Sequence, residues 1–193
     1  MITEQQYQEV ARMIGCDVAA VKAVQQVETG KHGAFIAPNV PPILFEGHIF
    51  WTQLKKKGMA PEIYANSHPN VGYPKWDKSQ YKGGIKEYDR LNEAEQIDHE
   101  SALMSASWGA FQIMGFNYIA CGCRTVKEFV EDMCTNEASQ LRLFAQLILS
   151  LKLDKYLISK DWESFVRRYN GLDYEQNKYD TKMADAYIKF LRN

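Results

Sequence analysis

The sequence predicts a mainly α-helical fold within a single domain. Apolar residues recur at three- and four-residue spacing through most of the chain, which is typical of helices with one buried face. The 193 residues, 46% of them hydrophobic, are enough for one well-buried core and fit one domain better than two. The sequence shows no internal repeat, low-complexity run or linker. We therefore predict one domain over residues 1–193, with at most a small β-hairpin.

The first helices are predicted from spacing and capping signals. An apolar stripe indicates a helix over residues 3–14, and Asp17 is a typical N-cap for a second helix that runs to about Glu28. Glycines and prolines then mark a loop with room for a short hairpin: Gly30, Gly33, Pro38, Pro41 and Pro42. The next helix is predicted over residues 43–57, ending near Gly58.

The longest irregular segment is predicted at residues 66–84. It is polar and aromatic, and it is rich in Gly, Pro and Ser. Long loops in compact domains are often functional, for instance as the wall of a cleft. A surface excursion without a function explains the composition equally well, so both interpretations stay open.

The helical pattern resumes after this segment. Thr125 and Glu128 have the spacing of a capping box that opens a helix, and Asp161 is a further N-cap. Predicted helices cover residues 88–104, 110–117, 125–133, 137–153, 161–169 and 174–191.

Charge and cysteine content exclude several classes of function. The 24 acidic and 23 basic residues nearly cancel, which argues against nonspecific binding of nucleic acid and against adsorption to an anionic surface. The four cysteines do not form a disulfide pattern, so we expect reduced thiols. The polar N-terminus predicts no cleavable export signal, and the longest apolar stretch, at residues 143–153, is too short to span a bilayer.

A metal-dependent hydrolase is also disfavoured. Such an enzyme needs clustered ligands, and the four histidines are scattered without a His-x-x-x-His or Cys-x-x-Cys pattern. The histidines are His32, His48, His68 and His99.

Glu28 is the first candidate for a catalytic residue. Val21, Val24 and Glu28 share one face of the second predicted helix, so a carboxyl group extends an apolar stripe. Burial and the negative end of the helix dipole would both raise its pKa, which suits an acid that protonates a glycosidic oxygen. Gly30 lets the chain leave the helix and opens space in front of this side chain. The alternative is an exposed Glu at a frayed helix end.

Four segments form an ordered set of motifs. They are Glu28-Thr29-Gly30, ILFEGHIF at residues 43–50, SWGAFQIMG at residues 107–115 and Tyr169-Asn170-Gly171. The first, third and fourth segments resemble the three signature motifs of lytic transglycosylases and goose-type lysozymes. With the segment at residues 43–50, the set is most similar to the N-acetylmuramidase domain of phage endolysins. Because the motifs extend from Glu28 to Gly171, the resemblance covers essentially the whole chain. Their combination and order are specific, whereas each motif alone would be weak.

The resemblance implies a lysozyme-like α-helical fold and a single catalytic muramidase domain over residues 1–193, without a separate wall-binding domain. It implies that Glu28 is the catalytic acid and Glu46 the second catalytic carboxylate. The residues expected to contact substrate are Thr29, Gly109, Gln112, Tyr118, Tyr169 and Asn170. No metal or organic cofactor is implied. The expected partner is the glycan strand of peptidoglycan, bound by a monomer that inserts into no membrane and binds no nucleic acid.

Structural roles remain open for the same residues. Glu46 can guide water, orient substrate or form an ion pair with a group such as that of His48. Gln112 can be the exposed position of a core helix, and Asn170 can cap a helix end. Thr29 can hydrogen-bond Glu28 or cap its helix. Weaker candidates for a second carboxylate are Asp77, Asp98 and Glu100.

The implied reaction is hydrolysis of the β-1,4 bond between N-acetylmuramic acid and N-acetylglucosamine. The alternatives are a lytic transglycosylase that leaves 1,6-anhydromuramic ends, a related chitinase, and a peptidoglycan-binding protein without catalysis. An endolysin of this type is expected to collect in the host bacterial cytoplasm and to reach the periplasmic wall after a holin-type protein opens the inner membrane.

Overall fold

The computed structural model describes residues 1–30, 33–169 and 178–192. Its helices are α1 (Glu4–Ile14), α2 (Val18–Thr29), α3 (Gly47–Lys56), α4 (Glu62–Ala65), α5 (Lys86–Glu95), α6 (His99–Met104), α7 (Val126–Thr135), α8 (Glu137–Ser150), α9 (Asp154–Ser159), α10 (Trp162–Tyr169) and α11 (Tyr179–Leu191). Three short strands, β1 (Ile43–Phe45), β2 (Ala106–Trp108) and β3 (Ile113–Met114), form one sheet. The prediction of a mainly α-helical domain is confirmed. No described helix has the length and apolar character needed to cross a membrane.

Helix α8 forms the centre of the core. Seven of its residues are buried, including Leu141, Phe144 and Ile148, and a helix that is apolar on most sides must be surrounded by other elements. Phe144 stacks on Phe111 with ring centroids 4.5 Å apart, and its edge meets the ring of Tyr169. The core therefore joins α8 to the loop between β2 and β3 and to the end of α10.

Helix α2 is fixed at its start and along its length. Asp17 caps it by accepting a hydrogen bond from the backbone N–H of Ala20 at 2.8 Å, as the sequence predicts. The most extensive contact between any two described elements is that of α2 with α11. Tyr187 of α11 also donates a hydrogen bond from its hydroxyl to Asp17 at 3.0 Å. These contacts set the direction in which the C-terminal end of α2 points.

The predicted helix over residues 43–57 is wrong in its first part. Ile43–Phe45 is strand β1, which pairs antiparallel with β2 and places Ile43 opposite Trp108. The N–H of Glu46 donates to the carbonyl of Ser105 at 2.9 Å, and α3 begins only at residue 47. An apolar run of this length is consistent with either a buried strand or a helix. Here it forms a strand because it pairs with β2.

The predicted helix over residues 110–117 is also wrong. β2 and β3 form a hairpin in which Trp108 lies opposite Ile113, and residues 109–112 make the turn. Gly109 and Gln112 have φ values of 72° and 47°, which an α-helix cannot contain. A single 3₁₀ turn at Gly115–Asn117 follows the hairpin.

The remaining differences are the short helices α4 and α9, which the sequence does not predict, and several helix boundaries. The predicted helix over residues 88–104 divides into α5 and α6, because Asp98 caps α6 by accepting from the N–H of Ser101 at 2.8 Å. Thr125 caps α7, whereas Glu128 accepts from the N–H of Arg124, so only half of the predicted capping box forms. The predicted helix over residues 174–191 is observed from Tyr179, and its earlier part lies outside the described residues. Residues 66–84 are irregular apart from a short turn at Lys78–Gln80.

Candidate active site

Glu28 lies in the last turn of α2, on the face predicted from the sequence. Val21 and Val24 on that face are fully buried, and Glu28 at its end is half-buried. The chain leaves the helix at Gly30, whose φ is 53°. Beyond this point the protein surface forms two cavities, of about 250 and 310 Å³, and Glu28 contributes to the lining of both.

The two cavities are adjacent parts of one cleft. They share Glu28, Leu44 of β1 and Gln112 of the hairpin. The first cavity is bounded by the loop after α2 and by the end of the 66–84 segment, through Ile36, Pro42, Gly83 and Gly84. The second is bounded by Glu46, Ser107, Met114, Asn117, Leu151 and Tyr169. A polymer that occupies both cavities therefore passes directly over Glu28.

Gln112 is held by the protein on both sides of its amide. Its Oε1 accepts a hydrogen bond from the hydroxyl of Ser107 at 2.8 Å, and its Nε2 donates to the carbonyl of Gly109 at 2.9 Å. The sequence predicts an amide offered to an N-acetyl group or to the catalytic carboxylate. In the structure this amide closes the hairpin turn, and it also forms part of the cleft wall.

A second amide, from Gln140 of α8, fixes the same turn from below. This side chain is fully buried, and its Oε1 accepts from the N–H of Ala110 at 2.8 Å. Its Nε2 donates to the carbonyls of Ala34 and Met133 at 3.1 and 2.8 Å. A Cβ atom at Gly109 would lie 2.6 Å from this Oε1. Gly109 thus permits the close approach of Gln140, and it also lines the first cavity.

Two tyrosines lie near Glu28. Burial raises the pKa of Tyr169 well above its usual value, and the charge of Glu28 adds to this shift. The same two causes raise the pKa of Tyr179. The hydroxyl of Tyr169 donates to the carbonyl of Phe111 at 2.9 Å. The structure thus places Tyr169 beside Glu28, as the motif predicts, and adds Tyr179, which carried no sequence signal.

Glu46 lies in the second cavity with Glu28, at the junction between β1 and α3. Its Oε2 accepts a hydrogen bond from the hydroxyl of Tyr81 at 2.7 Å. Nδ1 of His48 approaches the same oxygen at 3.4 Å. The hydroxyl of Tyr81 accepts from the indole Nε1 of Trp76 at 2.8 Å. Burial and the hydrogen bond to Glu46 raise the pKa of Tyr81, so its hydroxyl remains a donor at neutral pH.

Residues 66–84, named the wall loop from here on, are fastened by a buried ion pair. Arg90 and Glu87 of α5 lie 2.7 Å apart, and both side chains are almost fully buried. Glu87 accepts from the N–H groups of Lys82 and Gly83, and Arg90 donates to the carbonyl of Asn70. Glu87 also accepts a hydrogen bond from the N–H of Phe45, and Arg90 donates one to the carbonyl of Phe45, the residue before Glu46. The loop therefore forms one wall of the cleft and is attached to strand β1, which Glu46 directly follows.

The remaining predicted residues lie in different surroundings. Thr29 lines the first cavity, and its hydroxyl has no hydrogen-bond partner among the described residues. Tyr118 packs against the hydrophobic core, and its neighbour Asn117 lines the second cavity instead. Asn170 lies outside the described residues.

The weaker carboxylate candidates have structural partners. Asp98 and Glu100 both bind the ammonium group of Lys57. Asp77 caps the short turn inside the wall loop by accepting from Ser79. Within the described parts of the chain, no group of three His, Cys, Asp or Glu side chains has an arrangement that could hold a metal ion.

Comparison with known proteins agrees with this geometry. A family model described as N-acetylmuramidase matches residues 17–191. The chain belongs to the N-acetylmuramidase family. No curated protein matches it. The muramidase fold seen here resembles the crystal structure of the Burkholderia AP3 phage endolysin, with 38% sequence identity and a TM-score of 0.90. That match covers all of this chain and 72% of the other.

Residues from distant parts of the chain meet in one place within the region that the family model matches. The matched region contains all four motifs, and in the described structure three of them supply residues to the muramidase cleft beside Tyr169 of the fourth. Tyr81 and Gln140 lie outside the motifs, yet they hold Glu46 and the hairpin turn. The aromatic composition of the wall loop was the one sequence signal for Tyr81. Gln140 stands within an apolar helix, where a buried amide gives no such signal.

Proposed function

We propose that this muramidase is an endolysin-type glycoside hydrolase that cleaves the β-1,4 bond between N-acetylmuramic acid and N-acetylglucosamine. The observation that carries the proposal is the position of Glu28 at the junction of the two cavities. A glycan strand needs room on both sides of the bond that is cut, and the cleft offers it on both sides of one carboxyl group. The structural similarity to a phage endolysin supports the endolysin role.

Glu28 acts as the general acid in this proposal. It gives its proton to the glycosidic oxygen as the bond from that oxygen to the anomeric carbon breaks. This role requires the carboxyl group to carry a proton before the reaction. It lies at the C-terminal end of α2, and Leu44 supplies apolar surface beside it.

Glu46 guides the water molecule that attacks the anomeric carbon. It shares the second cavity with Glu28, and the hydroxyl of Tyr81 holds its Oε2. Within the described residues its Oε1 accepts no hydrogen bond, so it can receive a proton from water. When water attacks, its oxygen bonds to the anomeric carbon and one of its protons passes to Glu46. Exchange with solvent then returns both carboxyl groups to their starting states.

The remaining residues shape and line the cleft. We propose that Thr29 and Gly109 contact the sugar in the first cavity and that Tyr169 contacts the sugar in the second. Asn170, the next residue in the chain, is also proposed to contact the glycan. The amide of Gln112 forms part of the surface at the junction. Tyr118 supports the core behind Asn117, so its contribution to binding is indirect.

Substitution of the two carboxylates tests the proposal. Glu28→Gln keeps the size of the side chain and removes the transferable proton, so turnover of purified peptidoglycan should fall by about 10²–10⁴-fold. Glu46→Gln should lower kcat while leaving KM close to its parental value, because its role lies in the attack of water. Release of soluble fragments and the thermal unfolding midpoint are measured for each variant.

The matched control is Glu163→Gln, which changes an exposed carboxylate on α10. It should retain parental activity and stability. Undiminished turnover by folded Glu28→Gln would overturn its assignment as the acid. Undiminished kcat in Glu46→Gln would remove that residue from the reaction.

The chemical form of the products distinguishes hydrolysis from the alternatives. Hydrolysis leaves reducing muramic acid ends, because water adds to the anomeric carbon. Mass spectrometry of the digest should therefore detect these ends, whereas 1,6-anhydromuramic ends would identify a lytic transglycosylase. Binding of peptidoglycan without release of fragments would identify a non-catalytic binding protein.

A further inference from the structure

The wall loop presents an exposed aromatic ring in a fixed orientation. Trp76 is 60% exposed. Its indole N–H is engaged by the hydroxyl of Tyr81, which binds Glu46. The Tyr81 ring lies under the guanidinium group of Arg90, 5.9 Å from its centroid. Trp76 is therefore linked through Tyr81 to Glu46 in the second cavity, while most of its side chain stays exposed.

The same loop carries unpaired positive charge. Lys75, Lys78 and Lys82 are exposed, and none of them pairs with a carboxylate within residues 1–30, 33–169 and 178–192. The one acidic residue of the loop, Asp77, directs both carboxylate oxygens to Ser79 and Gln80. The loop is thus locally cationic on a chain whose formal net charge is -1. Such a surface attracts a ligand that carries carboxylates.

Together these features describe the ligand. A flat, preoriented indole offers its face to the apolar side of a sugar ring, and the lysines beside it offer salt-dependent attraction to an acidic substituent. In peptidoglycan, the muramic acid unit combines both, because it is a sugar that carries a peptide stem with free carboxylates. We propose that Trp76, with Lys75 and Lys78, forms a further subsite for a muramyl unit and its acidic stem, beyond the Glu46 side of the cleft.

This inference rests on the proposed function, because it assumes that a peptidoglycan strand lies through the cleft. The subsite adds a contact beyond the two cavities, so it acts on strands long enough to reach the wall loop. Tyr81 is a positioning residue within it, since its hydroxyl ties the indole to Glu46. Long strands should therefore depend on Trp76, whereas a disaccharide that fills only the junction should not.

The test measures binding in the Glu28→Gln background, so that the probe is not cut. The probes are purified glycan strands with intact stems, the same strands after enzymatic removal of the stems, and a disaccharide. Adding Trp76→Ala should weaken binding of both strand preparations by about three- to tenfold. It should leave the disaccharide unchanged. Adding Lys75→Gln with Lys78→Gln should weaken binding of the stem-bearing strands more than binding of the stripped strands, and this difference should disappear at high salt.

The matched control is Ile63→Ala, which removes a side chain that is 73% exposed outside the wall loop and should bind every probe as the background does. Trp76→Phe keeps an aromatic face and should retain part of the affinity. Unchanged strand binding in Trp76→Ala would overturn the subsite, and equal loss from both strand preparations in the lysine variant would overturn the stem assignment. The proposed function fails separately, if Glu28→Gln itself still cuts the strands.

Discussion

The two walls of the cleft are held by different chemistry. The hairpin wall depends on neutral groups, since the amides of Gln112 and Gln140 satisfy the turn between β2 and β3. The wall loop depends on ions, since Glu87 and Arg90 bind its backbone at both ends. Both walls are joined to the sheet between them, because the hairpin contains β2 and β3 and the ion pair binds β1.

The difference shows how one cleft can combine a fixed side and an adjustable side. A buried neutral amide with every group paired keeps its geometry across a wide range of pH. A buried ion pair is stable only while both partners stay charged, and loss of one partner leaves the other unpaired. We therefore expect the hairpin wall to keep its geometry over a wide range of pH. The attachment of the wall loop should be weakened by acid and by substitution of either ion-pair partner.

The largest expected effect comes from breaking the ion pair on the wall loop side. Arg90→Met leaves Glu87 buried without its partner and should lower the free energy of unfolding by about 3–5 kcal/mol. The wall loop should then become the first site of limited proteolysis. Denaturant titration and mapping of the cleavage sites measure these two effects.

The control for this variant is Arg124→Met, which removes an exposed partner of Glu128. A surface pair of this kind contributes about 0–1 kcal/mol, so stability should change little. A comparable loss in both arginine variants would contradict the special role of the buried pair.

A smaller effect is expected on the hairpin side. Gln140→Leu leaves the N–H of Ala110 and two backbone carbonyls without partners, which should cost about 2–3 kcal/mol. Because the turn also forms part of the cleft, kcat should fall in this variant even under conditions where it is fully folded. Gln146→Leu on the same helix is the control, since Gln146 makes no side-chain hydrogen bond within the described part of the chain. Parental kcat in folded Gln140→Leu would show that the turn tolerates loss of its support.

The smallest effect is the response to acid. Burial raises the pKa of Glu87, but hydrogen bonds from backbone N–H groups and the charge of Arg90 outweigh it and leave the pKa below its ordinary value of 4.5. The folded state therefore releases this proton more readily than the unfolded state. The stabilisation is fully present above about pH 4.5 and is lost as the pH falls through the lowered pKa.

Mild acid should therefore loosen the wall loop before the hairpin. Pepsin digestion over a falling pH series should cut within residues 66–84 first, and Glu87→Gln should remove most of this dependence on pH. Simultaneous cleavage of both walls at every pH would contradict the distinction between them.

The sequence was informative where a local pattern determines the structure. The sequence predicts that Glu28 ends an apolar face because Val21 and Val24 stand seven and four residues before it, and α2 has this arrangement. The cap at Asp17 and the exit at Gly30 were predicted on similar grounds. These features depend on neighbours within one or two helical turns, so they are visible in the sequence.

The incorrect predictions concern residues whose conformation depends on partners that are distant in the sequence. Residues 43–45 form a strand because β2 pairs with them, and nothing within the apolar run distinguishes that outcome from a helix. Gln112 has a positive φ in a turn where Ser107 and Gly109 hold its amide, and the sequence around it does not show this conformation. Glu87 and Arg90 have the spacing of an ordinary exposed pair on a helix, and only the folded wall loop buries them.

The packing of α2 against α11 has a consequence for the order in which the cleft can form during translation. The helix that carries Glu28 is made early, while the helix that supports it most extensively emerges from the ribosome after every described segment that lines the cavities. An incomplete nascent chain therefore lacks the support that directs this carboxyl group toward the cleft. A cleft with this chain order reaches its final form only after α11 has been synthesised and has packed against α2.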